Sequence, residues 1–259
     1  MLLVMFNKHE LLQMLPKGGR WVEIGVFQGD FSERILQECQ PETLHLVDPW
    51  HFELDFDWFA PPEYSPKYGD ARKFVEQVAK WTGVPEGVHL NDHFEALHNQ
   101  VQARFAGDAR VTIHRQTAHD AAPQFADGSF DCVYVDGAHD YENVLLDLTT
   151  YERKLKPEGV LLGDDYCEHG VYANAVYGVV GAVTHFRKIS TPRELVLNIE
   201  SFTTFALFRP GSPAWQVFMD HLVRSGHGVI ELPDALAPNY WHRPIFASDG
   251  KGRLIQSFA

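Results

Sequence analysis

Three carboxylates stand where two strand-like runs end, and their spacing could do chemistry. Asp136 closes the run Phe130-Asp-Cys-Val-Tyr-Val-Asp136-Gly137, and Asp164 and Asp165 close Val160-Leu-Leu-Gly-Asp164-Asp165-Tyr166. The stretch from Tyr141 to Leu155 between them has a helical pattern, so the segment reads strand, helix, parallel strand. A crossover of that kind brings both strand ends to one edge of the sheet. Three acids gathered there repel one another and must take up protons, pair with a base or hold a cation. Hard oxygen ligands suit Mg²⁺ or Ca²⁺ better than zinc. The plainer alternative is that each carboxylate caps a helix or faces water. His139 lies three residues after Asp136, in the turn that opens the next helix. A neutral imidazole there is suited to taking a proton from an alcohol; the plainer reading is a helix-start residue bonded to a neighbouring carboxylate.

The elements that would position these groups alternate along the chain. Trp21-Val-Glu-Ile-Gly25-Val-Phe27 reads as a buried strand, followed by the turn Gln28-Gly29-Asp30 and a helix from Phe31 to Glu38. Asp30 and Glu33 have capping-box spacing. Further strands are expected at Thr43–Asp48, Val111–Arg115, Phe130–Asp136 and Val160–Asp164, with a closing hairpin of Leu195–Ile199 and Thr203–Phe208. One helical face carries Phe74, Val78 and Trp81, and another Phe94, Leu97, Val101 and Phe105; a further helix is expected between Tyr172 and Arg187. Strands alternating with helices predict an α/β fold with a doubly wound, mostly parallel, seven-stranded sheet. Residues 51–70 are aromatic, acidic and proline-rich without a persistent period. A stretch of that length is expected to be a lid or substrate loop, with Trp50, Phe52, Phe56, Trp58 and Phe59 closing over a ligand. Residues 1–210 read as the main domain and 211–259 as an extension packed on it. One helix, Ala214–Arg224, is legible in that tail.

Ligands of such sheets bind beyond the carboxyl ends of the strands, where the strand order reverses. The first turn has the form Glu23-x-Gly25-x-x-x-Gly29, whose glycines let the backbone approach a ligand and free a helix N-terminus. Asp48, at the end of the next strand, is placed to accept bonds from ribose hydroxyls. A dinucleotide calls for GxGxxG; here Glu23 takes the first glycine's place. A carboxylate is a poor neighbour for pyrophosphate and a good one for a ligand carrying an ammonium and a sulfonium.

The segments VEIGVFQGDFSERIL, LHLVDPW, FDCVYVDGAHDYENVLLDL and LKPEGVLLGDDY resemble the successive motifs of class I S-adenosylmethionine-dependent methyltransferases. More narrowly they resemble the metal-dependent small-molecule O-methyltransferases that include macrocin O-methyltransferase, with cephalosporin hydroxylase-like proteins in the same neighbourhood. The resemblance covers about Gly18 to Phe208. It implies a Rossmann-like methyltransferase sheet in which Glu23, Gly25 and Gly29 line the methionine part of S-adenosylmethionine and Asp48 holds the ribose. It also implies Asp136, Asp164 and Asp165 as ligands of Mg²⁺ or a similar divalent cation, with His139 as general base. The family's Gly-Asp-Ser-like turn near the adenine is replaced here by Arg115-Gln116-Thr117, and Gln116 is left to bond the adenine amino group.

A formal net charge of −13 argues against a nucleic-acid partner, which requires Lys and Arg to neutralise phosphates. Cys39, Cys132 and Cys167 are odd in number and form no CxxC pair, which argues against a disulfide framework and a zinc site. Cys132 reads as a core residue, whereas Cys167 is placed to be exposed. The apolar Met1–Met5 gives way at once to Asn7-Lys-His-Glu10, too short for a signal peptide or a membrane span, so a cytoplasmic location without a membrane partner is the default. Homo-oligomerisation is left open. The reading that joins these features is a Mg²⁺-dependent O-methyltransferase acting on a small molecule or sugar hydroxyl. The alternatives are a metal-dependent hydroxylase-like enzyme of the same fold and a non-catalytic S-adenosylmethionine-fold binding protein.

Overall fold

A computed structural model describes residues 1–53, 71–168 and 177–258. The segments flanking the acids form as their patterns require. Strands β2 (Arg20–Ile24), β3 (Thr43–Val47), β4 (Val111–His114), β5 (Phe130–Val135) and β6 (Leu155–Gly163) are parallel neighbours in the order β4-β3-β2-β5-β6. The order reverses between β2 and β5, so the carboxyl ends of those strands frame the crevice. Strands β7 (Glu194–Asn198) and β8 (Phe205–Phe208) form the expected hairpin, and β8 lies antiparallel to β6.

Among the described residues the sheet has nine strands, where seven were expected. The two additions are β1 (Leu2–Val4), parallel to β7, and β9 (Val229–Glu231), antiparallel to β1. Each is three residues long, too short to show a period, and each depends on partners far away in the chain. The tail also forms a separate hairpin, β10 (Trp241–Phe246) with β11 (Gly252–Ser257).

Alternation along the central strands sorts side chains into two layers. Val22, Ile24, Val133, Val135 and Leu161 join one core with Val144, Leu148 and Tyr151 of helix α6 (Tyr141–Lys154). Trp21, Cys132, Tyr134, Val160 and Leu162 join the other, which includes Leu11 and Leu12 of α1 (Lys8–Met14) and Phe218 of α8 (Pro213–Ser225). The same layer takes Leu97, Val101 and Phe105 of α4 (Leu90–Phe105), the face expected there. The remaining α-helices among the described residues are α2 (Asp30–Arg34), α3 (Ala71–Trp81), the single turn α5 (Ala118–Ala121) and α7 (Val179–Ile189).

Local departures from the sequence reading have physical reasons. Gly29, at φ +77°, is the N-cap of α2, so Asp30 starts the helix instead of capping it and pairs with Arg104 at 2.6 Å. The helix continues as a π turn, Ile35–Cys39. β6 bulges at Lys156–Gly159, where its register with β5 jumps from Phe130↔Leu155 to Cys132↔Val160. Cys167 is fully buried, and Trp50 belongs to the core, its indole N–H donating to the Phe27 carbonyl at 2.8 Å. The rest of the expected lid, including Phe56, Trp58 and Phe59, lies outside the described residues. At its start, Asn91 grips both backbone groups of Phe52. Among the described residues no helix is long and apolar enough to cross a membrane.

Candidate active site

The site lies at the carboxyl ends of β2, β3, β5 and β6. Gly25 follows β2 at φ +81°, and a Cβ there would lie 2.0 Å from the Asp136 carbonyl oxygen. Only glycine permits that approach. The turn after it is held by Asp48, whose Oδ2 accepts the Val26 and Phe27 N–H groups at 2.9 and 3.0 Å and whose Oδ1 accepts that of Trp50 at 2.6 Å. A carboxylate offers about four acceptor positions, so one remains after these three bonds. Burial raises the Asp48 pKa, and these three backbone bonds oppose the shift.

Glu23 faces the layer of Tyr134, its register partner across β2 and β5. It is buried and accepts the Ser32 hydroxyl at 2.5 Å. Burial, joined by the charge of Asp136, pushes its carboxyl up to about 8, so it is largely protonated at neutral pH. Gln116 and Thr117 follow β4. Gln116 Oε1 accepts from Gln124, while Thr117 caps α5 through the Asp120 N–H and donates to the Asp120 carboxylate.

The four groups expected at the acidic edge divide into two sets. His139 Nε2 lies 2.9 Å from Asp165 Oδ2 and 3.4 Å from Asp136 Oδ1. One ligand atom from each of Asp136, His139 and Asp165 lies within 4.8 Å of the other two. Asp164 stands outside this set. Its Oδ1 accepts the Thr204 hydroxyl at 2.8 Å, and its Oδ2 accepts Lys8 Nζ at 2.7 Å and the Tyr134 hydroxyl at 3.2 Å. The pleat turns the neighbours Asp164 and Asp165 apart, because consecutive residues at a strand's end leave toward opposite layers. Asp136, by contrast, has Asp164's parity and is separated from it only by the Tyr134 hydroxyl and the bonds Asp164 makes. Asp164 shares the parity of Leu162 and Tyr134 and goes with them; Asp165 turns the other way at φ +51°. That left-handed conformation costs on the order of 1 kcal/mol in a residue with a Cβ.

Charge within the set is shared. Burial pushes Asp136 up to about 6, reinforced by Asp164 and Asp165 and opposed by its bond to His139. Burial alone would lower His139, but the Asp165 and Asp136 carboxylates outweigh it and raise the imidazole to about 10. The set as it stands is therefore an imidazolium between two acids. The Asp136 and Asp165 carboxylates beside the ring also offer hard oxygens that fit a divalent ion such as Mg²⁺ or Mn²⁺.

Sequence reasoning missed Lys8, Ser32, Tyr134 and Thr204. Tyr134 has a signal, since it lies two residues before Asp136 on the same face. Lys8 has none, being 156 positions from Asp164.

Residues 22–166, more than half of the sequence, match the family described as methyltransferase domain. The chain belongs to that family. Among solved structures it is similar to spermidine synthase from Thermotoga maritima, with 12% identity, a TM-score of 0.50, and 90% of this chain and 67% of that one covered. The N-methyltransferase NodS of Bradyrhizobium japonicum, solved with S-adenosyl-L-homocysteine, gives 13% identity, a TM-score of 0.48 and coverage of 78% and 86%. An O-methyltransferase family protein of Burkholderia thailandensis gives 11%, 0.44, 77% and 52%. At such identities the first of these supports the fold. No curated protein matches the chain. Family membership and the doubly wound sheet together support an S-adenosylmethionine-dependent methyltransferase of class I.

Proposed function

We propose that this methyltransferase acts on a hydroxyl of a small molecule or sugar, with a divalent cation held by Asp136 and Asp165 and with His139 as general base. The observation that carries the proposal is the placing of His139 Nε2 between Asp165 and Asp136 at the open edge of the crevice. His139 is fixed for that task, because its carbonyl accepts the Gly178 N–H at 2.8 Å and its ring lies 5.4 Å from that of Tyr177.

The reaction balances simply. The acceptor O–H gives its proton to His139 Nε2, the oxygen's electron pair forms a bond to the methyl carbon, and the carbon–sulfur bond breaks. The products are a methyl ether, S-adenosylhomocysteine and protonated His139. His139 must enter the step neutral, and the negative charge of Asp136 and Asp165 is what keeps its proton on. A bound divalent cation would supply neutralisation of those acids and a lowered pKa for the acceptor hydroxyl. Glu23, Gly25, Gly29 and Asp48 would align the donor, and general base action would contribute roughly 10²–10⁴-fold.

Calorimetric titration of S-adenosylhomocysteine, with and without Mg²⁺ or Mn²⁺, tests the donor and ion together. Micromolar binding, with a metal heat lost in Asp165→Asn, is the expected result. His139→Gln is expected to keep that binding and lose roughly 10²–10⁴-fold in methyl transfer. No binding under any condition would sink the proposal. Product mass separates it from hydroxylation, as a gain of CH₂ against a gain of oxygen.

A further inference from the structure

The fold supplies the acidic edge with a cation of its own. Lys8 is the first residue of α1, and both its backbone and its ammonium are fixed. Its N–H donates to Glu200 Oε2 at 2.9 Å, an oxygen that also accepts Asn198 Nδ2 at 2.7 Å. Asn198 Oδ1 accepts the Thr204 N–H at 2.8 Å, and Thr204 Oγ1 donates to Asp164 Oδ1 at 2.8 Å. The Lys8 ammonium closes the circuit on Asp164 Oδ2 at 2.7 Å. Five residues thus form a ring of hydrogen bonds joining α1 to the ends of β6, β7 and β8. Asp164, Asn198 and Thr204 are buried, and the ammonium also lies 5.0 Å from the Phe31 ring centre.

We infer that Lys8 is a tethered counter-ion that keeps Asp164 out of the divalent-cation site and weakens that site's affinity. An oxygen that already accepts an ammonium and a phenol has little left to offer a metal. An ion placed against it would also meet the lysine's charge in a half-buried setting, where repulsion is screened less than in open water. The influence reaches one residue further. The single proton of the Tyr134 hydroxyl is shared between Asp164 Oδ2 and Asp136 Oδ2, at 3.2 and 3.0 Å, which leaves Asp136 Oδ1 toward His139. Lys8 is therefore a positioning residue that acts through Asp164 and Tyr134. This inference rests on the reading that Asp136 and Asp165 hold a divalent cation.

The test is Mn²⁺ titration of the full-length protein without cofactor, read by electron paramagnetic resonance. Lys8→Met frees Asp164 and is expected to tighten Mn²⁺ about tenfold, the size of one charge-assisted bond. Lys8→Gln drops the charge but keeps a donor, and is expected to shift binding the same way if the methionine variant folds poorly. Lys8→Arg restores the charge and is expected to stay near wild type. Asp164→Asn alone is expected to leave Mn²⁺ affinity nearly unchanged, and combined with Lys8→Met to abolish the gain. Unchanged or weaker binding in folded Lys8→Met and Lys8→Gln overturns the inference, as does a loss in Asp164→Asn equal to that in Asp165→Asn. Wild-type binding that disappears in Asp165→Asn but is unmoved at Lys8 removes this inference alone. No Mn²⁺ binding in wild type or Lys8 variants removes the proposed metal site with it.

Discussion

Gly25 and Asp136 share one space: the backbone of one strand end rests directly against that of the other, with no room for a methyl group between them. The contact fixes the separation between the glycine turn after β2 and the acidic edge. Gly25→Ala would meet both a positive φ and the Asp136 carbonyl. A loss of roughly 2–4 kcal/mol in stability is expected, with S-adenosylhomocysteine binding abolished. Thermal melting and calorimetry on the purified variant check this, and a wild-type melting temperature would contradict it.

Asp164 and Asp165 are adjacent in sequence and should respond oppositely to the same substitution. Asp165→Asn keeps a side chain that tolerates the left-handed backbone, so little change in melting temperature is expected alongside loss of Mn²⁺ binding. Asp164→Asn strands the Lys8 ammonium beside a neutral amide. With Lys8 about one-third exposed, the cost is roughly 2–3 kcal/mol. Equal melting temperatures for the two variants would refute the division of the acids.

On the proposed reading, Glu23 lines the donor site and gives donor binding a proton signature. Its raised pKa leaves it largely protonated at neutral pH, and an ammonium brought beside it would expel that proton. Titrations of S-adenosylhomocysteine in buffers of different ionisation enthalpy should report net proton release near pH 7, absent in Glu23→Gln. In the free protein, the stability due to protonated Glu23 is full below pH 4.5 and is lost as pH rises through about 8.

The His45–His114 pair sets an opposite limit. The rings meet at 2.9 Å beneath Phe125 and Phe130, and burial, then His114 and Arg20, push His45 down to about 4. The unfolded chain therefore binds more protons between pH 6.5 and 4, and stability is lost as pH falls through that window. The loss is at most about 3 kcal/mol, less for the exposed share of the rings. Melting temperatures across the window should fall in wild type and flatten in His45→Leu.

Much of this could be read along the chain because it is periodic and local. The central strands and their hairpin announce themselves by apolar runs, and the acids by lying where those runs stop. The pleat also carried a message that adjacent Asp164 and Asp165 must face opposite layers. What stayed illegible has no local signal. β1 and β9 are too short to show a period, and the tail hairpin is stabilised by its own cross-strand partner. Lys8 reaches the acids only after the sheet has formed.

That last dependence bears on how the molecule assembles. The circuit through Lys8, Asp164, Thr204, Asn198 and Glu200 joins positions up to 192 residues apart, and loop closure over such spans comes late and slowly in folding. The segment 22–166 that marks the family contains the glycine turn after β2 and all three acids, but neither the lysine nor the threonine that fixes Asp164. A fragment limited to it would carry the signature of the enzyme with its acidic edge unlatched, so the first ten residues are as much a part of that edge as the acids themselves.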